Sequence, residues 1–211
     1  MVFPVRANQL INYVGFVPTD KQLKESWSAP GDPAALAAEF AGWDPLLQAV
    51  LEQVTTCFGW GLYDREPLPR WSRGRLTLLG DAAHPMLPHA GQGANQAIED
   101  GVALATILAQ ADRGSAPEAL RLYELVRRER TAGVQAMSRA NRMRYEASSD
   151  LDARDEQLGD QARDRAWIWN YDAEAEAAAA VAADRPSAAG PTRTAGSSRK
   201  GPEADERAGE V

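Results

Sequence analysis

Apolar and polar positions begin the chain at the period of a strand and then change to the period of a helix. Residues 2–6 and 9–17, the second reading Gln9-Leu10-Ile11-Asn12-Tyr13-Val14-Gly15-Phe16-Val17, predict two short strands joined by a polar turn at Ala7-Asn8. An isolated hairpin is marginal in water, so these strands call for further sheet partners that the next stretch of sequence does not supply. Asp32-Pro33 and Asp44-Pro45 each join an N-cap acceptor to a proline suited to a first helical position. They predict helices over 33–41, with Leu36 and Phe40 as its stripe, and over 45–56, with Leu47, Val50, Leu51 and Val54. Trp60 to Trp71 carries Pro67 and Pro69 and predicts an ordered loop. Leu76 to Leu79 is a continuous apolar run, which predicts a short buried strand.

A helix is predicted from Ala94 to Ala111. Ala94, Ala97, Ile98, Gly101, Val102, Ala105, Leu108 and Ala109 recur at its period, and their small size predicts close packing against a sheet or a bound ring. Ser115 and Glu118 predict a capping box for the next helix, which runs to Tyr145. Arg121, Arg127, Arg128, Arg130, Arg139, Arg142 and Arg144 alternate there with apolar residues and glutamates, the pattern of a solvated face. Beyond Asp150 the island Trp167-Ile168-Trp169-Asn170-Tyr171-Asp172 stands in a polar stretch and is expected to dock onto the body. From Asp184 onward there is almost no apolar bulk, which predicts a disordered tail.

Composition narrows the classes. Over 211 residues the chain can bury one good core. Its 30 acidic and 23 basic residues give a net charge of −7, which argues against a nucleic-acid binder held by phosphates. A single cysteine, Cys57, excludes a disulfide framework and a thiolate metal cluster, and is expected to be inert packing. The first residues lack the pattern of a signal peptide, and no apolar run is long enough to span a bilayer. A soluble protein of the cytoplasm, without a membrane partner, is the expectation.

Candidate chemistry gathers in one stretch. The run Gly74-Arg75-Leu76-Thr77-Leu78-Leu79-Gly80-Asp81-Ala82-Ala83-His84-Pro85 leads through a Pro/Gly-rich turn to Gly91-Gln92-Gly93-Ala94-Asn95. Asp81 ends the apolar run, where open α/β sheets bind ligands, and its carboxylate can accept hydrogen bonds from the vicinal hydroxyls of a polyol. Standing alone, it would read as a turn aspartate. Gly91 and Gly93 permit close backbone approach, and the helix that follows presents unpaired amides near residues 93–95 to an anion or an electron-rich carbonyl. His84 and His89 are the only histidines. A metallophosphatase-like site needs further ligands that the sequence does not supply, so no metal is assigned. His84 reads as a structural turn residue. His89 faces the crevice, either as a ligand contact or as a hydrogen-bonded loop histidine.

These motifs, with Gln96-Ala97-Ile98-Glu99-Asp100 after them and Leu62-Tyr63-Asp64-Arg65-Glu66-Pro67-Leu68-Pro69-Arg70-Trp71 before, resemble the second flavin-binding motif of single-component FAD-dependent aromatic hydroxylases such as salicylate hydroxylase and 3-hydroxybenzoate 6-hydroxylase. Pro4-Val5-Arg6 and the strand through Asn12 are similar to the last strands of that family's substrate sheet. Trp43-Asp44-Pro45 and Trp169-Asn170-Tyr171-Asp172 fit more loosely.

The resemblance implies an α/β flavoprotein fold in which this chain is an incomplete domain. The parts would be a substrate-sheet remnant with covering helices (1–59), the FAD-binding portion with long helices (60–148), a helical extension (149–183) and the tail (184–211). It further implies FAD held by Asp81, Gly91, Gln92, Gly93, Ala94 and Asn95, with Pro88 and His89 on the substrate side. The family reduces FAD with NAD(P)H and hydroxylates a phenol- or benzoate-like ring with O2 through a flavin C4a-hydroperoxide. No catalytic residue is assigned beyond His89 as a candidate.

The chain departs from the family in having no G-x-G-x-x-G unit for the ADP half of FAD. The expectation is therefore a truncated or split product. It would be either a remnant without catalysis or a subunit completed by another chain, and weak in FAD binding by itself. A flavin-dependent halogenase or epoxidase is the alternative within the flavin group.

Overall fold

The computed structural model describes residues 1–19, 26, 28–147 and 165–184. The expected tail beyond residue 184, and residues 149–164 of the expected extension, lie outside them.

β1 (Val2–Val5) and β2 (Leu10–Tyr13) pair antiparallel, Val2 opposite Tyr13 and Val5 opposite Leu10, as the only sheet among the described residues. β2 ends at Tyr13, sooner than its alternation suggests, and just past it the Val14 amide donates to the Met1 carbonyl at 2.9 Å. There the terminal amine donates to the Val14 carbonyl at 2.8 Å. The turn places Arg6, Ala7 and Asn8 at φ of 50, 53 and 67°, a left-handed run without a glycine.

The two Asp-Pro starts form as expected. In α1 (Pro33–Glu39) the Asp32 carboxylate accepts from the Ala34 amide at 2.9 Å, and in α2 (Pro45–Leu51) Asp44 accepts from Leu46 at 2.8 Å. α2 stops at Leu51 rather than at 56. Val54, Thr55 and Thr56 are β-branched and stiff at χ1, and the backbone there tightens to Gln53→Val50 and Val54→Leu51 hydrogen bonds. Phe40 is buried between Tyr13 and Trp43, edge-on to both at 5.6 and 5.2 Å between centroids.

The larger body is helical: α3 (Gly93–Leu108), α4 (Ala116–Ala147), α5 (Ala166–Trp169) and α6 (Ala173–Asp184). Its core joins Trp71, Ala83, Ala103, Ile107, Ala119, Tyr123 and Ala177, and α3 packs against both α4 and α6. The Trp167–Tyr171 island docks as expected. The Arg130 guanidinium lies 3.6 Å from the Tyr171 ring centroid and donates to the Trp167 and Ile168 carbonyls at 2.9 and 3.1 Å. Among the described residues no helix is long and apolar enough to cross a membrane.

Three local expectations are corrected. Leu76–Leu79 is extended but is no buried strand. It closes a tight turn through reciprocal Arg73–Leu76 hydrogen bonds, and Leu76 and Leu79 are 61% and 44% exposed. An extended run needs neighbouring strands to bury both its faces, and the described residues supply none. The Ser115–Glu118 box does not form, because the Ser115 hydroxyl turns back to the Asp112 carboxylate at 2.8 Å and Glu118 pairs with Arg121. The arginines of α4 are not one solvated face: Arg127 is fully buried and Arg130 nearly so. Within this chain α3 packs through the face opposite the small-residue stripe, for which a sheet or a bound ring is the expectation. Its buried residues are Gln96, Asp100, Ala103 and Ile107, while Ile98, Val102 and Leu108 remain exposed.

Candidate functional site

The extended segment 76–79 ends in a one-turn 3-10 helix, Gly80–Ala82, with Gly80 at φ +57°. Glycine is needed there twice over. The left-handed backbone disfavours a side chain, and a Cβ would stand 3.3 Å from the Cβ of Ala97 on α3. The turn therefore lies directly on α3. Asp81 follows with its side chain exposed, and its Oδ1 lies 3.8 Å from the point a Cβ on Gly93 would occupy. A carboxylate thus borders the first turn of a 16-residue helix.

That helix start is open. Gln92 is the cap residue but gives no side-chain hydrogen bond to the first turn, and its carbonyl begins the ladder by accepting from Gln96 at 2.9 Å. Ala94 and Asn95 are exposed and Gly93 half-buried, so the uncapped amides of 93–95 and the positive end of the helix dipole face outward. Gln92 itself is buried, and its Oε1 accepts from the Asn95 side-chain Nδ2 at 3.4 Å. Gly91, at φ +63°, closes the second 3-10 turn, Pro88–Ala90, by donating to the Pro88 carbonyl at 2.9 Å. Pro88 is exposed. His89 is half-buried with its ring 4.9 Å from that of Phe16. Asp81, the helix start and the Pro88–Gly91 turn therefore form one neighbourhood.

Beneath this surface lies a polar cluster that the sequence reading left out. Asp100 is fully buried on α3. Its Oδ2 accepts from the Gly80 amide at 2.8 Å and meets His84 Nε2 at 2.6 Å, while its Oδ1 accepts from Arg127 Nε at 2.8 Å. Arg127 also reaches Glu99 at 2.7 Å and the Gln96 side-chain oxygen at 2.9 Å, and Glu99 is gripped from its other side by Arg130. Burial would push the Asp100 and Glu99 carboxyls up. For Asp100, hydrogen bonds from His84, the Gly80 amide and Arg127 outweigh that and hold it below the ordinary range; for Glu99, Arg130 and Arg127 do the same. His84 packs against Trp71, with 5.4 Å between centroids, and its Nδ1 meets no partner among the described residues.

A second support comes from α4. Gln135, Ser138 and Asn141 lie along one face of that helix and donate in turn to the carbonyls of Pro85 (2.7 Å), Leu87 and His89 (3.2 Å). These side chains fix alternate carbonyls from Pro85 to His89, from the linking segment into the second 3-10 turn. A signal for both supports exists in the sequence. Leu120, Tyr123, Arg127, Thr131, Val134, Ser138 and Asn141 follow three- and four-residue steps, so Arg127 falls at the centre of the inward face. Among the described residues no group of three or more His, Cys, Asp or Glu is placed to hold a metal ion.

The geometry can be set beside known proteins. A family described as FAD binding domain matches residues 1–140. The 6-hydroxynicotinate 3-monooxygenase of Bordetella bronchiseptica is 46% identical over 132 residues, covering 62% of this chain and 34% of that protein. A salicylate hydroxylase of Pseudomonas putida is 38% identical over 181 residues, covering 81% of this chain and 42% of that protein. Among solved structures, a salicylate hydroxylase substrate complex superposes with a TM-score of 0.69 at 33% identity, over 85% of this chain and 46% of that one. The structure of CtdE in complex with FAD gives 0.60 at 27% identity, over 78% and 39%. The chain thus spans less than half the length of these relatives.

Proposed function

The chain belongs to the FAD binding domain family, and from that premise we propose that it forms the flavin-facing portion of a monooxygenase acting on a phenol- or benzoate-like aromatic ring with NAD(P)H and O2. The observation that carries this reading is the Asp81 carboxylate set against the uncapped first turn of α3.

The residues suit the group. The Asp81 oxygens are positioned as acceptors for the hydroxyls of a ribityl chain. The amides of Gly93, Ala94 and Asn95 suit the electron-rich carbonyl edge of an isoalloxazine, because they donate in a fixed direction and add the positive helix end. Gly93 leaves room there that a side chain would fill, and Gln92, buried, stiffens the entry to the helix. Pro88 and His89, on the turn held by α4, border the side from which an aromatic substrate would approach. When bound, FAD supplies the transfer of electrons from NAD(P)H and the activation of O2. The chain's part is to orient the ring, to place partial positive charge where negative charge develops, and to shape the substrate side.

A second reading concerns competence. The chain contains no G-x-G-x-x-G unit and spans between 34% and 42% of the two enzymes compared. This supports a chain that holds FAD weakly until the rest of the fold completes the cradle.

Both readings are tested by titrating FAD and following its fluorescence, first with the chain alone and then with the chain joined to the part of the P. putida salicylate hydroxylase outside the match. Saturable binding is expected in the completed form and only weak binding in the chain alone. Asp81→Ala should weaken affinity by about tenfold or more, the cost of removing hydrogen bonds to a charged acceptor. Equal affinity of Asp81→Ala and the parent would refute the site, and tight FAD in the isolated chain would refute the second reading.

A further inference from the structure

Near the start of α4 the segment 70–74 leans against the helix and leaves a cleft of about 330 Å³. Arg70, Arg73 and Arg121 stand around it, three cations at one opening in a chain of net charge −7. The local fold puts them there. Reciprocal hydrogen bonds between Arg73 and Leu76 close a tight turn with Gly74 at φ +60°, and Trp71 is buried in the core just before it. Ser72, also buried, ties the segment to α4. Its amide donates to Glu124 Oε2 at 2.8 Å and its hydroxyl to the Leu120 carbonyl at 3.0 Å. Arg70 and Arg73 are thereby held beside Arg121 of the helix.

The charges of this cleft are not balanced within it. Among the described residues neither the Arg70 nor the Arg73 side chain meets a hydrogen-bond or ion-pair partner. Arg121 pairs with Glu118 at 2.6 Å, but with the two side chains 62% and 59% exposed such a pair contributes little and exchanges readily for a better one. The carboxylate in the lining is already taken. Glu124 accepts from the Ser72 amide and from Arg128 at 3.2 Å, so it presents no free charge to an incoming anion. The Gly74 amide, at the corner of the turn, has no backbone partner among the described residues, and a Cβ there would meet nothing within 4 Å. A ligand can therefore approach that backbone closely. At the edge of the cleft Leu125 is 65% exposed and offers an apolar shelf.

A concavity lined by one sign of charge concentrates ions of the other. Guanidinium forks take phosphate through paired hydrogen bonds, and three of them around one opening suit two linked phosphoryl groups. The volume falls in the range of small organic ligands, roughly 300 Å³ upward, rather than that of a bare ion. The acidic excess over the rest of the chain repels a long polyanion, which leaves a small one. We propose that this cleft binds a nucleoside diphosphate group, with its phosphoryls on Arg70, Arg73 and Arg121 and its base against Leu125. The site does not rest on the flavin reading: Arg121 lies about four turns of α4, roughly 20 Å, before Gln135.

The test titrates ADP into the full chain by calorimetry at fixed ionic strength, with inorganic pyrophosphate and adenosine as the two parts of the probe. The expected result is saturable one-to-one binding of ADP that pyrophosphate displaces and adenosine does not. Arg70→Ala and Arg73→Ala should each weaken it by about tenfold, the scale of a lost hydrogen bond to a charged group. Both positions are exposed and without partners, so the chain stays folded, with circular dichroism as the check. Arg142→Ala makes the same charge change about 30 Å further along α4 and should alter affinity by no more than about twofold. NADPH presents the same group inside a dinucleotide. Affinity equal to or above that of ADP assigns the cleft to a dinucleotide, and lower affinity assigns it to a free nucleotide.

Absence of saturable ADP binding at millimolar concentration would overturn the proposal. So would parent-like affinity in both Arg70→Ala and Arg73→Ala. A loss in Arg142→Ala equal to theirs would reduce the cleft to general charge attraction and overturn it as well. ADP carries no flavin, so these outcomes leave the reading of Asp81 and the start of α3 untouched.

Discussion

The hairpin end and the helical end of this chain are stabilised in opposite ways. Residues 1–19 and 28–51 form a two-stranded sheet and two short helices around Phe40 and Leu51, with Met1, Leu10, Ile11, Trp43 and Leu46 left largely in solvent. The body built on α3 and α4 buries not only a core but a set of ions: Asp100, Arg127 and, in part, Glu99 and Arg130. Both ends leave apolar residues in solvent, Ile98 and Leu125 at 65% in the helical body among them, but only the body also holds charged groups deep inside, with Asp100 and Arg127 paired. The difference teaches where the fold is self-sufficient. The body closes its own cluster, whereas the hairpin needs additional sheet to become more than marginal.

The contrast breaks most readily at Arg127. Arg127→Ala leaves Asp100 buried with a charge no longer balanced from that side, and should cost about 3–5 kcal/mol, measured as a fall in the urea midpoint at unchanged slope. A loss under about 1 kcal/mol would show that the cluster is bystander polarity and that the two ends differ less than they look.

Acid sharpens the same contrast with a smaller effect. Asp100 and Glu99 are both held below the ordinary carboxylate range, so their contribution is full above that range and drains away as pH falls through their lowered values. Stability of the body, followed by circular dichroism of the long helices, should hold from neutral pH to about 5 and decline below about 4. A body whose stability is flat to pH 3 would contradict the cluster's role.

The smallest effect belongs to the hairpin. Ala7 stands at φ +53° between two other left-handed residues, and Ala7→Gly should relieve strain by roughly 0.5–1 kcal/mol net of the extra freedom of the unfolded glycine. The readout is slower amide exchange across β1 and β2 with α3 and α4 unaffected. Slower exchange in the helical body as well would mean that the ends are coupled.

Local signals were readable without the fold. Asp32-Pro33 and Asp44-Pro45 cap helices through contacts two residues away, and α3 and α4 announce themselves by period. What needed distant partners was not readable. Leu76–Leu79 looks like a buried strand because its residues suit one, yet burial depends on neighbours. The arginines of α4 look solvated because charge usually is, and only spacing singles out Arg127. On α3, carboxylate, amide and guanidinium groups hold together the side opposite the small-residue stripe, a packing that depends on Arg127 of α4 and so on a distant partner. At the candidate site, the motif Gly91 to Asn95 and Asp81 were legible as a pattern. Of what supports it, the helical spacing of α4 marks Arg127, Ser138 and Asn141 as inward-facing, whereas the Asp100–His84 clamp carries no such mark.

The contact between Gly80 and Ala97 has a further consequence. With 3.3 Å between the Ala97 Cβ and the place a methyl on Gly80 would take, any side chain at 80 must push Ala97 aside by a few tenths of an ångström on top of adopting a left-handed backbone. Residue 80 should therefore stay glycine across related sequences, whereas Pro88, exposed on the neighbouring turn, has space to vary.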